Sequence, residues 1–128
     1  MGMSELVIKL DQNLPPEGTW PAKCTHVVFL DGQPSAYAES GFTDQVELTF
    51  ELATDDGPHS ARRRYTRSLN PRASLRKALD AWRGRALSGE EERHGVDFAQ
   101  LIDAPCHVEI THVVKGDRTF GNITGIAP

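Results

Sequence analysis

The sequence predicts a mainly β domain with one helix between its third and fourth strands, and three observations carry that prediction. Apolar residues alternate with a period of two over runs bounded by turn residues, the period changes to 3.6 over one segment after Pro71, and two further alternating runs finish the chain. A length of 128 residues, 38% hydrophobic and 25% charged, suits a single domain over 1–128 with one core, with residues 1–17 expected as a mobile N-terminal segment.

The first strand is TWPAKCTHVVFLDG, whose alternation places Trp20, Ala22, Cys24, His26 and Val28 on one face. DGQPSAYAESG, rich in turn residues, is expected as a mobile loop. FTDQVELTFELATDDG is the clearest strand, with Val46, Leu48, Phe50 and Leu52 on one side and Gln45, Glu47, Thr49 and Glu51 on the other. The short DDGP turn makes HSARRRYTRSL its hairpin partner, with Ala61, Arg63, Tyr65 and Arg67 on one side and Arg62, Arg64, Thr66 and Ser68 opposite.

From Pro71 onward Leu75, Ala78, Leu79 and Trp82 form an apolar stripe, with Arg72, Arg76, Asp80 and Arg83 on another side of the helix. Asn70, followed by Pro71 at the first helical position, or Ser74 serves as N-cap, and Gly84 stops the helix. Trp82, Phe42, Phe50 and Phe98 are assigned to the core. GEEER reads as a solvated helix start, and DFAQLIDAP as a short helical turn or ordered loop. Pro105 to Val114 and Arg118 to Ile126 are the last two strands, joined by the turn KGD.

Three strands, a helix and two strands is the element order of an oligonucleotide-binding (OB) barrel, so the expected fold is an OB-like five-stranded barrel. An open five-stranded sheet with one helix is the competitor, because element order alone does not establish closure.

Charge is unevenly distributed. The net charge is -4, yet Arg62 to Arg85 holds nine of the 14 Lys and Arg against one acid, Asp80, making this segment +8 and the remainder -12. Such a polarity points to an anionic partner. No run approaches the roughly 18 apolar residues of a spanning helix, and MGMSELVIKLDQ lacks the features of a signal peptide, so a cytoplasmic location without a membrane partner is expected.

The blocks GTWPAKC, RRRYTRSLNPRASLRKALDAWRGR, FAQLIDAPCHVEI and FGNITGI, in this order, resemble a family of small bacteriophage and prophage early-region proteins, labelled hypothetical or single-stranded DNA-binding. The resemblance runs from about Gly18 to Pro128, and the central block is its most specific part. It implies a role in phage DNA replication or recombination inside a bacterial host. The implied partners are single-stranded DNA and phage replication or recombination proteins, with a homo-oligomer left open. The loop Gly32 to Gly41 departs from the pattern by its low charge, which puts a strand-clamping role for it in doubt.

Binding a single strand needs a cationic track for phosphates and aromatic faces for bases. The candidate cations are Lys23, Arg62, Arg63, Arg64 and Arg67, with Arg72 and Arg76 on the helix and Lys115 and Arg118 at the last hairpin. The candidate aromatics are Tyr65, Trp20 and Phe120, with Phe29 and Tyr37 behind them. Alternation on the third strand leaves two arrangements. If Tyr65 stacks on bases, Arg63 and Arg67 flank it as phosphate contacts; if Tyr65 is core, Arg62 and Arg64 bind. The first is the working expectation.

Catalysis is disfavoured. There is no HExxH, Gly-rich phosphate loop, GxSxG turn or dense carboxylate cluster, and no cofactor is called for. Cys24 and Cys106 read as small buried hydrophobes; with His26 and His112 they have the strand parity for a zinc site only if the first and fourth strands pair. The competing function is a protein-interaction module that docks an acidic partner on the basic helix. The alternative to GEEER as a solvated helix start is an acidic segment that occupies the basic face until DNA displaces it.

Overall fold

The computed structural model describes residues 14–36 and 38–128. Five strands, β1 (Gly18–Pro34), β2 (Phe42–Thr54), β3 (Gly57–Thr66), β4 (Pro105–Lys115) and β5 (Arg118–Ala127), form one sheet in the order β3-β2-β1-β4-β5. Between β3 and β4 come helix α1 (Ser74–Arg83), the short helix α2 (Gly89–His94) and a 3-10 turn at Phe98–Leu101. The expected class therefore holds: mainly β, five strands in one sheet, with the principal helix between strands three and four. The sheet is not closed. All neighbouring pairs are antiparallel, so β3 and β5 both run in the direction of β1, and these two edges approach each other as parallel strands without a shared ladder. No helix among the described residues is long and apolar enough to cross a membrane.

Curling the sheet requires β1 to bend. Its first part, Gly18 to Lys23, pairs with β4, and Ala22 to Pro34 pairs with β2, with register shifts between Cys24 and His26 and between Leu30 and Gln33. The first shift inserts Thr25 as an extra residue and reverses the alternation. Cys24 thus points into the core, Val27 packs against it, and His26 and Val28 turn outward, correcting the expectation that all of the even positions share one face.

β2 carries the core. Val46, Leu48, Phe50 and Leu52 are each at most 2% exposed. α1 closes one end, burying Leu75, Leu79 and Trp82; the Trp82 ring meets Phe50 edge-on at 5.5 Å and its Nε1 donates to the Pro105 carbonyl at 3.0 Å. Phe98 is buried as expected, but Phe42 is 59% exposed, because it pairs with Pro34 at the far end of the β1–β2 ladder, beyond the core.

Gly84 ends α1 in the left-handed region at φ 68°, as its position in the sequence implies. The start differs from expectation. Ala73 is the N-cap and makes no side-chain cap, Ser74 lies inside the helix, and Asn70 with Pro71 forms a preceding turn in which Asn70 Oδ1 accepts from the Arg72 N–H at 3.0 Å. Of the N-terminal segment, residues 1–13 lie outside the described residues. Leu14 to Glu17 is tied down: His112 Nε2 lies 2.7 Å from the Pro15 carbonyl, the His112 N–H donates to Glu17, and Trp20 Nε1 donates to the Pro16 carbonyl.

Candidate functional site

The β2–β3 hairpin decides the orientation of the third strand. Its closing pair is Thr54 with Gly57, across a two-residue Asp55–Asp56 turn, and from there the register runs to Phe50 opposite Ala61, Leu48 opposite Arg63 and Val46 opposite Tyr65. Directly paired residues share a face. Tyr65 therefore points inward with Val46 and is only 4% exposed, which corrects its expected role as an exposed stacking platform. Burial pushes its phenol pKa up, an effect that the neighbouring Arg63 charge partly offsets.

Arg63 shares the inward parity of Tyr65, but β3 is an edge strand. Its side chain leaves through the gap between β3 and β5, with the guanidinium 4.7 Å from the centre of the Tyr65 ring and Nη1 donating to the Ile123 carbonyl of β5 at 3.1 Å. An arginine thus bridges the two edges where a closed barrel would have a backbone ladder. Arg62 and Arg64 lie on the outer face of β3, and Arg64 Nε donates to Glu47 Oε2 at 3.0 Å on β2.

The cations of the central segment divide into neutralised and available groups. Arg76 is buried, donating to Asp80, to Glu92 at 2.9 Å and to the Leu69 carbonyl. Glu91 accepts from Arg83 at 2.7 and 3.1 Å and from Arg85 at 2.9 Å. Those hydrogen bonds, with the Ser88 N–H, hold the Glu91 carboxyl far below the usual carboxylate range. Arg67 is paired with Asp31 and lies 4.5 Å above the Phe29 ring. Arg67 and Arg76 are therefore not free to act as the phosphate contacts expected of them. Besides Asp80, the acids that neutralise the flank of α1 are Glu91 and Glu92 of GEEER, whose helix α2 starts with a Ser88–Glu91 capping box.

Arg62, Arg72 and Lys77 have no ion pair or side-chain hydrogen bond among the described residues. With Arg63 and Arg64 they line three adjoining clefts along the open seam. One, of about 660 Å³, runs from Arg63, Arg64 and Tyr65 to Asn70, Arg72 and Ser74. A second, of about 300 Å³, lies between Arg63, Tyr65 and Lys77 and the β5 residues Thr124 to Ile126. The third, of about 450 Å³, is lined by Arg62, Arg63, Asn122, Ile123 and Thr124. Arg63 borders all three, and among the described residues no Asp or Glu lines any of them. The three clefts share Arg63 and form a cationic groove over the parallel edges, and Ser74, at the start of α1, lines two of them.

β5 extends the groove. Ile123 is buried, so alternation turns Asn122, Phe120 and Arg118 to the outer face, where Phe120 is 39% exposed and the Arg118 guanidinium lies 5.7 Å from its ring. At about 3.3 Å per residue, Phe120 stands roughly 7 Å along the strand from Asn122. Lys115, at the end of β4, pairs with Arg118 across the Gly116–Asp117 turn. Lys23 is remote from this groove: it pairs with Glu51 across the outer face of the β1–β2 ladder. Trp20 is partly buried against the core and so offers no open platform. Tyr37 lies outside the described residues.

Strands β1 and β4 do pair, yet the proposed cysteine and histidine set does not assemble. The bulge at Thr25 sends His26 outward, His112 is hydrogen-bonded to Pro15, and no group of three potential ligands forms among the described residues. Cys24 and Cys106 are buried, and burial raises both thiol pKa values, Cys106 to about 12. Lys77, Ser74 and the Asn122–Thr124 segment are among the groove residues that the sequence does not single out. Only the approach of β5 to β3 gives them a common surface. No protein-family model, curated protein or solved structure matches the chain.

Proposed function

We propose that the chain is a non-catalytic single-stranded DNA-binding protein of the phage type, acting in DNA replication or recombination in the host cytoplasm, with little sequence dependence. The observation that supports this reading is the set of clefts lined by Arg62, Arg63, Arg72 and Lys77, which pair with no acid among the described residues, and by Arg64, which is paired with Glu47 on the exposed face, in a chain whose net charge is negative. Local cation density without acids attracts a polyanion even when the whole protein is acidic, because screening confines the field to about 8 Å at physiological salt. Phosphate contacts carry no sequence information, and stacking tolerates every base, so weak selectivity follows. Phe120 is the exposed aromatic face beside the track. The competing role, an acidic partner docked on the basic helix, is weakened by the pairing of Arg76, Arg83 and Arg85 with Glu91, Glu92 and Asp80.

Titration of a fluorescent dT oligonucleotide at several salt concentrations tests the proposal. Binding whose log K falls linearly with log salt, by ~0.7 per neutralised phosphate, is expected, and absence of binding at ~50 mM salt rejects it.

A further inference from the structure

We propose that the first turn of α1 is a seat for one phosphate group, a site within the groove that rests on the single-strand reading above. A helix begins with N–H groups that have no intrahelical acceptor and carries about half a positive charge there. Most helices satisfy these donors with a capping side chain or place an acid in the first turn. α1 does neither: Ala73 at the N-cap offers no side-chain acceptor, and the first turn holds no acidic residue. Among the described residues the N–H groups of Ser74, Leu75 and Arg76 have no hydrogen-bond acceptor, the first helical bond being Lys77 N–H to the Ala73 carbonyl.

A second, independent feature lies at the same spot. Tyr65 lines both adjoining clefts beside Ser74, is 96% buried by its 4% exposure, and its hydroxyl finds no acceptor among the described residues, its polar neighbour being the Arg63 guanidinium, which can only donate. A buried hydroxyl without a partner is uncommon and calls for an acceptor. Arg63 borders both clefts, Arg72 the first and Lys77 the second. Backbone donors, a helix dipole, a phenol donor and three cations with no acid among them match the tetrahedral oxygens of a phosphate. A phosphate also competes for Arg63 against the neutral Ile123 carbonyl, because a charged acceptor makes the stronger bond.

The source is either a phosphodiester inside the strand or a terminal phosphate, and the chemistry is shared. Inorganic phosphate titrated into the ¹⁵N-labelled protein, at ionic strength held constant with chloride, is expected to shift the Ser74, Leu75 and Arg76 amides most. Shifts spread evenly over exposed cations, or none, overturn the site. Ala73→Asn supplies a neutral cap to the same donors, so it should raise the melting temperature while weakening phosphate binding several-fold. Unchanged phosphate affinity in a stabilised variant overturns the site. Tyr65→Phe should weaken phosphate binding without lowering the melting temperature, since the hydroxyl has no acceptor among the described residues; unchanged phosphate affinity overturns the part given to the phenol.

Strands of dT with a 5′-phosphate, a 5′-hydroxyl or a 3′-phosphate separate the two sources. If Ala73→Asn removes a gain specific to one phosphorylated end, the seat takes a terminal phosphate; if it weakens all three equally, it takes an internal one; if it affects none, the site is refuted. Strands that fail to bind at all remove the proposed function, and the amide shifts with inorganic phosphate still decide the seat separately.

Discussion

Replacing Arg62, Arg72 and Lys77 together with Ala separates available charge from neutralised charge. These three line the groove without an acidic partner, and their removal leaves Arg63 and Arg64 there. If all five groove cations contact phosphates, the exposed Arg64 exchanging Glu47 for a phosphate, the salt slope is about 3.5, and affinity for dT falls about 130-fold between 50 and 200 mM salt. With two contacts left the slope is about 1.4 and the same change costs about 7-fold. The parallel variant, Arg83→Ala with Arg85→Ala, removes two cations already bound to Glu91 and should leave the slope within about 0.3 of the parent. Fluorescence anisotropy at four or five salt concentrations reads both. Equal slope losses in the two variants would show that net charge, not the groove, governs binding, and would refute the division of the arginines made above.

Other outcomes follow from particular contacts. Phe120→Ala should weaken oligonucleotide binding by about 1 to 3 kcal/mol, or roughly 5- to 150-fold, with the salt slope unchanged; an unaltered affinity assigns stacking elsewhere. Phe50→Ala removes a fully buried ring packed on Trp82 and should cost roughly 3 to 5 kcal/mol in urea unfolding, whereas a loss below about 1 kcal/mol contradicts its place in the core. The Glu91 carboxyl has a folded pKa depressed by Arg83 and Arg85, so its contribution is present above the unfolded value of 4.5 and is lost as pH falls below it. The melting temperature of the parent should therefore exceed that of Glu91→Gln near neutrality and converge on it in acid; a constant difference argues against the pairing. Gly84→Ala forces a side chain into a left-handed conformation, with its Cβ 3.3 Å from Pro128, and should cost about 1 to 2 kcal/mol by the same unfolding measurement.

Local patterns carried much of the architecture. Alternation from Val46 to Leu52 marks the face of β2 that is buried, because a strand with one wet face has only one parity available. Gly84 ends α1 because the left-handed turn there suits glycine. The orientation of Tyr65 was within reach as well: a two-residue Asp55–Asp56 turn pairs Thr54 with Gly57 and so sets Tyr65 opposite core Val46. Other features have no local signal. The Thr25 bulge comes from the need for one strand to pair with β2 and β4 while bending, and it moved His26 out of reach of the cysteines.

What the sequence by itself determined is the strand and helix order, the core face of β2, the pairing of its hairpin and the concentration of cations from Arg62 to Arg85. Only the tertiary structure decided which of those cations are free. Glu91 and Glu92 reach α1 from another helix, Asp31 reaches Arg67 from β1, and the acid-free seam exists because β5, remote in the chain, comes to lie beside β3. Charge is a property of a residue, but its neutralisation is a property of the neighbours that folding supplies.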